Sequence, residues 1–230
     1  MTHCSARSNR EWSPSLAEAF KLIILPATKD GMTRAELHQY LEFNHGPLVM
    51  RYPDVSSCFT EYIHHYVESE AALRAGCDAV TTISFASLAG LQASKANENY
   101  RLHVGPDEDN FRDEATSRAY SGQVRMIRNG SRVARYKLLI FRRLSDCTDS
   151  QREWENHVIK RLNNGSLSVG RVSINRLAAL GGSCEYDILD EISLDDAACA
   201  SAIEAELSEA PSGLLVGDSA TLITRPRIFV

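Results

Sequence analysis

One histidine, His45, stands where a side chain could accept and return a proton. The apolar spacing before it predicts a helix that ends at Gly46-Pro47, so His45 would lie in the last helical turn. A helix C-terminus stabilises an imidazolium, and histidine is the side chain that ionises near neutral pH. We therefore expect His45 to be an acid-base catalyst. The alternative is that it caps the helix end and packs against Pro47.

Three polar aromatic residues alternate along a later apolar segment, which is predicted to be a strand over residues 55–68: Tyr62, His64 and Tyr66. Alternate side chains of a strand share one face, and the other face would carry apolar residues that suit packing against helices. We expect the polar aromatic face to line the interior of a barrel, with Tyr62 and His64 in catalysis and Tyr66 in substrate binding. The alternative is that these side chains fill a core.

The neighbouring His65 should point away from His64, so the pair is a poor metal chelate. We expect no metal site and no cofactor. The sequence contains no Gly-x-Gly-x-x-Gly, P-loop, Gly-x-Ser-x-Gly or His-Glu-x-x-His pattern. Nucleotide binding, serine hydrolysis and zinc proteolysis therefore lack their usual sequence marks.

Residues 105–113 form an acidic segment that is predicted to be a loop over the mouth of a barrel. A carboxylate such as Asp107 beside His45 would fix the tautomer of the imidazole and stabilise its charged form, which makes Asp107 a catalytic candidate. Phe111 is expected to bind substrate or to plug the core. The alternative is a solvated acidic loop, and we favour that interpretation for Glu108.

A lone acid, Glu191, lies in an apolar strand pattern and faces either solvent or a cavity. Inside a cavity, burial would raise its pKa, and the carboxyl group could act as an acid or bind substrate. Tyr40 and Tyr52, which flank His45 in the sequence, complete the expected substrate-binding set.

The secondary-structure elements that must position these side chains occur twice in the sequence. The strand motif Lys21-Leu22-Ile23-Ile24 recurs as Lys137-Leu138-Leu139-Ile140, a separation of 116 residues. Each copy is followed by the pattern of a helix capping box, Thr33-x-x-Glu36 in the first and Thr148-x-x-Gln151 in the second. Such a repeat predicts two similar units that pack as an internal pseudo-dimer.

Each unit has the predicted element order β-α-β-β-α-β, the ferredoxin-like arrangement of an antiparallel sheet with helices on one face. We expect an α+β fold in which two such units close into a barrel with a small-molecule pocket. The predicted strands are 20–25, 55–68, 78–85 and 120–127 in the first unit, and 135–142, 170–180, 185–194 and 219–228 in the second. The expected boundaries are a flexible arm over 1–15, a first domain over 16–131 and a second over 132–230.

Two motifs in the first unit resemble the EthD-domain family. They are His45-Gly46-Pro47-Leu48 and Val104-Gly105-Pro106-Asp107-Glu108-x-x-Phe111-x-Asp113, and the resemblance covers about residues 19–128. The second unit resembles the family only in its skeleton and lacks the His-Gly-Pro signature. The resemblance implies the dimeric α+β barrel superfamily, here as two fused copies of which the second is degenerate and serves as a wall for one pocket.

The resemblance also implies small-molecule chemistry. The superfamily includes cofactor-independent monooxygenases, polyketide cyclases, isomerases, and dehydratases or decarboxylases of aromatic polyketides. Because the candidate groups form an acid-base set, we expect a lyase or isomerase that acts on a small aromatic or polyketide-like metabolite by elimination, cyclisation or decarboxylation. The alternatives are a monooxygenase of the same superfamily and a non-catalytic metabolite-binding protein.

The composition is that of an ordinary globular protein. The chain has 230 residues, of which 43% are hydrophobic and 24% charged, and a net charge of −5 argues mildly against nucleic acid or an anionic membrane as a partner. The six cysteines form no C-x-x-C pair, and neither a signal sequence nor a membrane-spanning run is visible. We expect a cytoplasmic protein whose partner is a small molecule, with a possible homodimer of the fused pseudo-dimer.

Overall fold

The computed structural model describes residues 20–68, 76–131, 133–146, 149–164, 169–181 and 184–230. The expected arm over 1–15 and the second capping residue Thr148 lie outside these residues. The α+β class predicted from the sequence is confirmed, and the order of strands and helices follows the repeat. Within the described ranges, every helix is too short or too polar to cross a membrane.

The described residues of the first half form four strands and the helices between them. They are β1 (Phe20–Thr28), α1 (Arg34–Tyr40), α2 (Gly46–Met50), α3 (Pro53–Ser56), β2 (Phe59–Val67), β3 (Ala79–Phe85), α4 (Leu88–Ala96) and β4 (Arg112–Arg128). Two π-helical segments, Leu41–His45 and Tyr100–Val104, precede α2 and the helical turn Gly105–Asp107, which is followed by a 3₁₀ turn at Glu108–Asn110.

The second half repeats the arrangement with shorter connections. Its elements are β5 (Tyr136–Arg142), α5 (Ser150–Asn164), β6 (Val172–Ala179), β7 (Ile188–Leu194), a 3₁₀ turn (Ala197–Cys199), α6 (Ala200–Ser208) and β8 (Ala220–Ile228).

The described strands close into one antiparallel barrel in the order β1-β3-β2-β8-β5-β7-β6-β4. The two halves meet at two seams, where β2 pairs with β8 and β4 pairs with β6. Closure pairs the edges that each half would otherwise expose. Each half therefore supplies half of the barrel wall and keeps its helices on the outside.

Alternation along the strands sends one set of side chains into the barrel and the other toward the helices. The buried apolar cluster inside the barrel contains residues from all described strands: Ile23, Leu25, Val67, Val80, Tyr120, Leu139, Phe141, Leu177, Leu189, Ala220 and Leu222. Separate clusters lie between sheet and helices, such as Leu37, Leu41, Tyr66 and Phe111 in the first half.

The expected orientation of β2 is wrong. Val67 belongs to the cluster inside the barrel, whereas Tyr62 packs with Val49 and Val104 of the helical layer. Tyr66 packs on that side as well, and His64, two residues from each tyrosine, shares this face. The strand is buried on both faces, so its polar and apolar alternation could not show which face was inner.

The barrel contains a buried ionic cluster made by both copies of the repeat. Lys21 Nζ lies 2.5 Å and Lys137 Nζ 3.6 Å from the carboxylate of Glu191, and all three side chains are at most 5% exposed. The amide of Asn175 donates to Glu191 Oε1 at 3.1 Å. Burial by itself would raise the pKa of Glu191, but the two ammonium groups hold it well below its usual range. The expected rise in pKa is therefore wrong, because the carboxylate has cationic partners.

Several element boundaries differ from the sequence predictions. Strand β2 begins at Phe59 and not at residue 55, because Pro53–Ser56 are helical. The helix does not end at Gly46-Pro47, because a π turn lets Gly46 N–H reach Leu41 O and α2 continues beyond it. Strand β1 continues past Pro26 through a register shift between Leu25 and Ala27. The acidic segment folds into helical turns rather than a loop, and β4 already begins at Arg112.

The two repeated lysines give opposite expectations for stability. Lys21→Met leaves the buried carboxylate with a distant partner, so we expect a loss of about 3 kcal/mol in the free energy of unfolding. Lys137→Met removes a buried ammonium whose pKa is lowered by burial, and we expect a change within about 1 kcal/mol or a gain. Urea unfolding at pH 7 measures both, with the exposed Lys160→Met as control. Equal losses in the two variants would contradict this assignment.

The same cluster predicts a pH dependence. The folded pKa of Glu191 is lowered, so its contribution is complete above the unfolded value of about 4.3 and is lost as the pH falls below it. Lowering the pH from about 5 to about 3 should therefore reduce the free energy of unfolding of the wild type more than that of Lys21→Met. In the variant the carboxylate has lost its close partner. Parallel pH profiles of the two proteins would argue against the ion pair.

Candidate functional site

His45 is the last residue of a π turn, and this turn determines its position. Gly46 N–H donates to Leu41 O, five residues back, and this wider turn faces His45 inward, where it is 7% exposed. A Cβ atom at position 46 would lie 2.2 Å from the Phe229 ring, so any larger residue there would require this ring to move. Phe229 comes from the end of the second half, so both halves determine the position of His45.

Asp107 is positioned by a second π turn of the same kind. The π segment Tyr100–Val104 ends with Gly105 N–H donating to Tyr100 O, and the following turn carries Asp107. Its carboxylate Oδ2 lies 2.9 Å from His45 Nδ1. The sequence prediction that Asp107 stands beside His45 thus agrees with the geometry, although the segment is helical.

Two further groups hold the Asp107 carboxylate. Tyr40 donates its hydroxyl to Oδ1 at 2.6 Å, and Asn110 Nδ2 donates to the same oxygen at 3.1 Å. Burial alone would raise the pKa of Asp107, but the hydrogen bonds from His45, Tyr40 and Asn110 lower it. Asp107 is therefore an ionised acceptor, and it fixes a hydrogen on His45 Nδ1.

The other imidazole nitrogen of His45 is the reactive candidate. No described group hydrogen-bonds its Nε2, and His45 lines a cavity between sheet and helices. With the Nδ1 hydrogen held by Asp107, the Nε2 lone pair is available to accept a proton from a molecule in that cavity.

Tyr62 and His64 form a second polar pair beside His45. The Tyr62 hydroxyl lies 2.7 Å from His64 Nε2, and the His64 and His45 rings are stacked with centroids 6.1 Å apart. Burial, reinforced by the charge of Glu108, raises the pKa of Tyr62 well above its usual range. Burial and the proximity of His45 lower the pKa of His64 well below its usual range. Both groups are therefore neutral near pH 7.

The cavity has a volume of about 50 Å³ and opens to the surface. Space of this size admits a few water molecules, so a ring-sized ligand requires lining side chains to move. Most of the lining is apolar or aromatic, with a small number of polar groups. The lining residues are Ile24, Pro26, His45, Val49, Val55, Phe59, Tyr62, Thr81, Ile83, Tyr100, Val104, Glu108, Phe111 and Arg112.

Three polar lining residues were missed or misjudged from the sequence: Tyr100, Glu108 and Arg112. The Tyr100 hydroxyl donates to Glu108 Oε1 at 3.1 Å, and Arg112 Nη2 donates to Glu108 Oε2. Glu108 is thus half-buried at the cavity and not the solvated acid that we favoured. The i, i+4 spacing of Glu108 and Arg112, typical of helical ion pairs, was the signal available in the sequence.

The expected site residues do not all meet at this cavity. Phe111 lines it and packs on His45, with ring centroids 4.8 Å apart. Tyr66 lies away from it, against the ring of His38. Tyr52 packs outside the lining, stacked on His103. Glu191 is on the opposite face of the sheet, inside the barrel.

Strand pairing identifies the equivalent positions in the second half. Ile24 of β1 pairs with Thr81 of β3, and Ile140 of β5 pairs with Asp190 of β7. The repeat relates the two members of each pair. Asp190 therefore stands where the first half has the cavity-lining Thr81.

Larger side chains occupy that region of the second half. Pro26 of the cavity corresponds to Arg142, whose Nε donates to Asp190 Oδ2 at 3.0 Å. Trp154 donates to the other oxygen of Asp190 at 2.9 Å, and its ring lies 4.5 Å from the Arg142 guanidinium carbon. All three side chains are at most 1% exposed. The space corresponding to the cavity is filled by this group.

Metal ligands do not cluster in the part of the chain that the structure describes: it has no group of three or more His, Cys, Asp or Glu side chains suited to holding an ion.

Comparison with known proteins gives a family match within the first half. Residues 29–115 match the family model described as the EthD domain, which confirms the family resemblance of the two sequence motifs. A search of curated proteins by sequence gives no match.

Several solved structures share the fold of this protein over nearly the whole chain. An anthrone oxidase-like protein aligns with a TM-score of 0.56 at 9% identity, covering 92% of this chain and 93% of its own. A candidate monooxygenase from Fusobacterium nucleatum gives 0.59 at 7% identity, covering 93% and 95%. A chlorite dismutase variant from Candidatus Nitrospira defluvii gives 0.54 at 8% identity, covering 91% and 92%. At these identities the likeness concerns the fold alone.

The His45–Asp107 contact predicts a tautomer. In the wild type at pH 8, Nδ1 should carry the imidazole hydrogen, because the carboxylate accepts it. Asp107→Asn presents an amide N–H to Nδ1 and should move the hydrogen to Nε2. Nitrogen-15 spectra of histidine-labelled protein measure this, with the exposed Asp109→Asn as a matched control. An unchanged tautomer in Asp107→Asn would contradict the contact.

Proposed function

We propose that this chain, in which residues 29–115 form an EthD domain within a dimeric α+β barrel fold, is a cofactor-independent acid-base enzyme. It acts as a lyase or isomerase on a small aromatic or polyketide-like metabolite. The observation that carries the proposal is the His45–Asp107 pair at 2.9 Å, with Nε2 left for a ligand in the adjoining cavity.

In this proposal, His45 is the general base. Asp107 holds the Nδ1 hydrogen and stabilises the imidazolium that forms when Nε2 takes a proton from a carbon next to a carbonyl group. The same imidazolium then returns the proton to another atom, which completes an isomerisation, a cyclisation or an elimination. A lyase needs no redox group for these steps.

Tyr62 is proposed to stabilise the enolate that forms during proton removal. The phenol remains protonated near pH 7 because burial raises its pKa. If His64 donates its Nε2 hydrogen to the Tyr62 oxygen, the Tyr62 hydroxyl is free to donate to the ligand. A neutral donor aimed at the developing negative charge gains strength in a site that excludes water.

The domain organisation fits one working site per chain. We propose two ferredoxin-like domains, residues 16–131 and a degenerate copy over 132–230, of which only the first holds the catalytic groups. The Trp154, Arg142 and Asp190 group supports this, because it fills the corresponding space in the second half. A further pairing of two such chains as a homodimer, and a cytoplasmic location, remain part of the proposal.

Exchange of carbon-bound hydrogen tests the base before the product is known. The protein is incubated in D₂O with a panel of aryl ketones and aromatic β-keto acids, and deuterium uptake next to the carbonyl is followed by proton NMR. We expect uptake with at least one compound and a loss of about 100-fold or more in His45→Gln. His103→Gln, an exposed histidine outside the cavity lining, is the matched control.

Tyr62→Phe separates the two roles. It removes the proposed donor while keeping the ring, so exchange should slow without loss of the His45 tautomer. The proposal fails if no compound exchanges, or if His45→Gln exchanges as fast as the wild type.

A monooxygenase is the second candidate, favoured by the names of two solved structures with this fold, one an anthrone oxidase-like protein and one a candidate monooxygenase. The same base would deprotonate a phenolic substrate, whose anion then reacts with dioxygen. One oxygen atom becomes a carbonyl oxygen of the product and the other leaves as water with the two hydrogens of the oxidised carbon. An oxygen electrode distinguishes the two functions. A lyase turns over equally with and without oxygen, whereas an oxygenase consumes one dioxygen per product and stops under anaerobic conditions.

A further inference from the structure

A second polar group faces the cavity apart from the His45–Asp107 pair. Arg112, at the start of β4, lines the cavity together with Tyr100 and Glu108. The Arg112 and Glu108 side chains are 14% and 15% exposed, so their charges are largely shielded from bulk water.

Glu108 serves as an anchor in this group. One of its oxygens accepts from Tyr100 and the other from Arg112, so both oxygens of the carboxylate are engaged. Glu108 therefore fixes the guanidinium at one nitrogen.

Arg112 is left with unused donors. A guanidinium has five N–H groups, yet among the described residues Arg112 meets an acceptor only through Nη2. Its Nε is shielded from solvent and has no hydrogen-bond partner in this part of the chain. A buried donor without an acceptor is costly, and a ligand oxygen in the cavity would remove that cost.

The chemistry of the unused donors selects the ligand group. Arginine binds a carboxylate through two parallel hydrogen bonds, and such charge-assisted bonds are roughly twice as strong as those to a neutral oxygen. Its planar fork can serve two carboxylates at different edges, so Glu108 need not leave. The remaining lining, including Phe59, Ile83 and Phe111, suits an apolar or aromatic body.

From these contacts we propose that Arg112 determines specificity by binding a carboxylate group of the substrate. The substrate class is then aromatic or aliphatic carboxylic acids, with the acid group at Arg112 and the reacting carbon at His45. The inference rests on the proposed function for the reaction at His45, but the binding of the acid group is measured without turnover.

Benzoate and benzamide test the proposal, because they differ in charge and hardly in shape. Titration calorimetry should show that the wild type binds benzoate about tenfold or more tightly than benzamide. Arg112→Met should abolish this preference and leave benzamide binding unchanged. Arg112→Lys, which keeps the charge but loses the fork, should retain a smaller preference. Arg101→Met, an exposed arginine on the adjacent π segment, should behave as the wild type.

The preference for benzoate over benzamide decides whether the proposal holds. Equal binding of benzoate and benzamide by the wild type, or a preference that survives in Arg112→Met, overturns the proposal. If Arg112→Met fails to fold, the double variant Glu108→Gln with Arg112→Met removes both charges of the pair and gives the same test. His45→Gln should lose hydrogen exchange and keep the benzoate preference, so failure at His45 and failure at Arg112 are distinguishable.

Discussion

The buried pairing of Glu191 with Lys21 is the interaction on which the closed barrel depends. The carboxylate comes from the second half, and the ammonium at 2.5 Å comes from the first. An ionised group in a nearly waterless interior is tolerated only with such a partner. The repeated lysine motif therefore does more than mark two copies of one unit. It places both lysines at one carboxylate, and neither half alone could bury these charges in this way.

Closure of the barrel determines where a ligand can bind. The interior holds the ionic cluster and an apolar core, and the cavity at His45 lies outside it, between the first half-sheet and its helices. The two halves use the space between sheet and helices differently. Thr81 and Pro26 leave a cavity in the first half, whereas Asp190 and Arg142 occupy the equivalent space together with Trp154. The second half contributes to the first cavity from outside, through Phe229 packed on Tyr62 and His64.

Local signals in the sequence predicted what is decided locally. The capping box at Thr33 is present in the structure. Which face of β2 points into the barrel was not predictable in this way. Tyr62 lies on one side of the sheet and Ile63 on the other, and both are buried. Nor did the partners of Glu191 follow from its strand pattern, because they lie 170 and 54 positions away and meet it only when the barrel closes.

The catalytic pair shows how local and distant constraints combine. His45 and Asp107 each follow from a π turn that ends in Gly-Pro, where the glycine N–H reaches back five residues and proline needs no helical hydrogen bond. The two sequence motifs therefore belong together for a physical reason: each turns one member of a hydrogen-bonded pair toward the other. Either motif alone would leave a buried imidazole without its acceptor or a buried carboxylate without one of its donors. This mutual need, rather than the histidine alone, makes the first half the candidate active half of the chain.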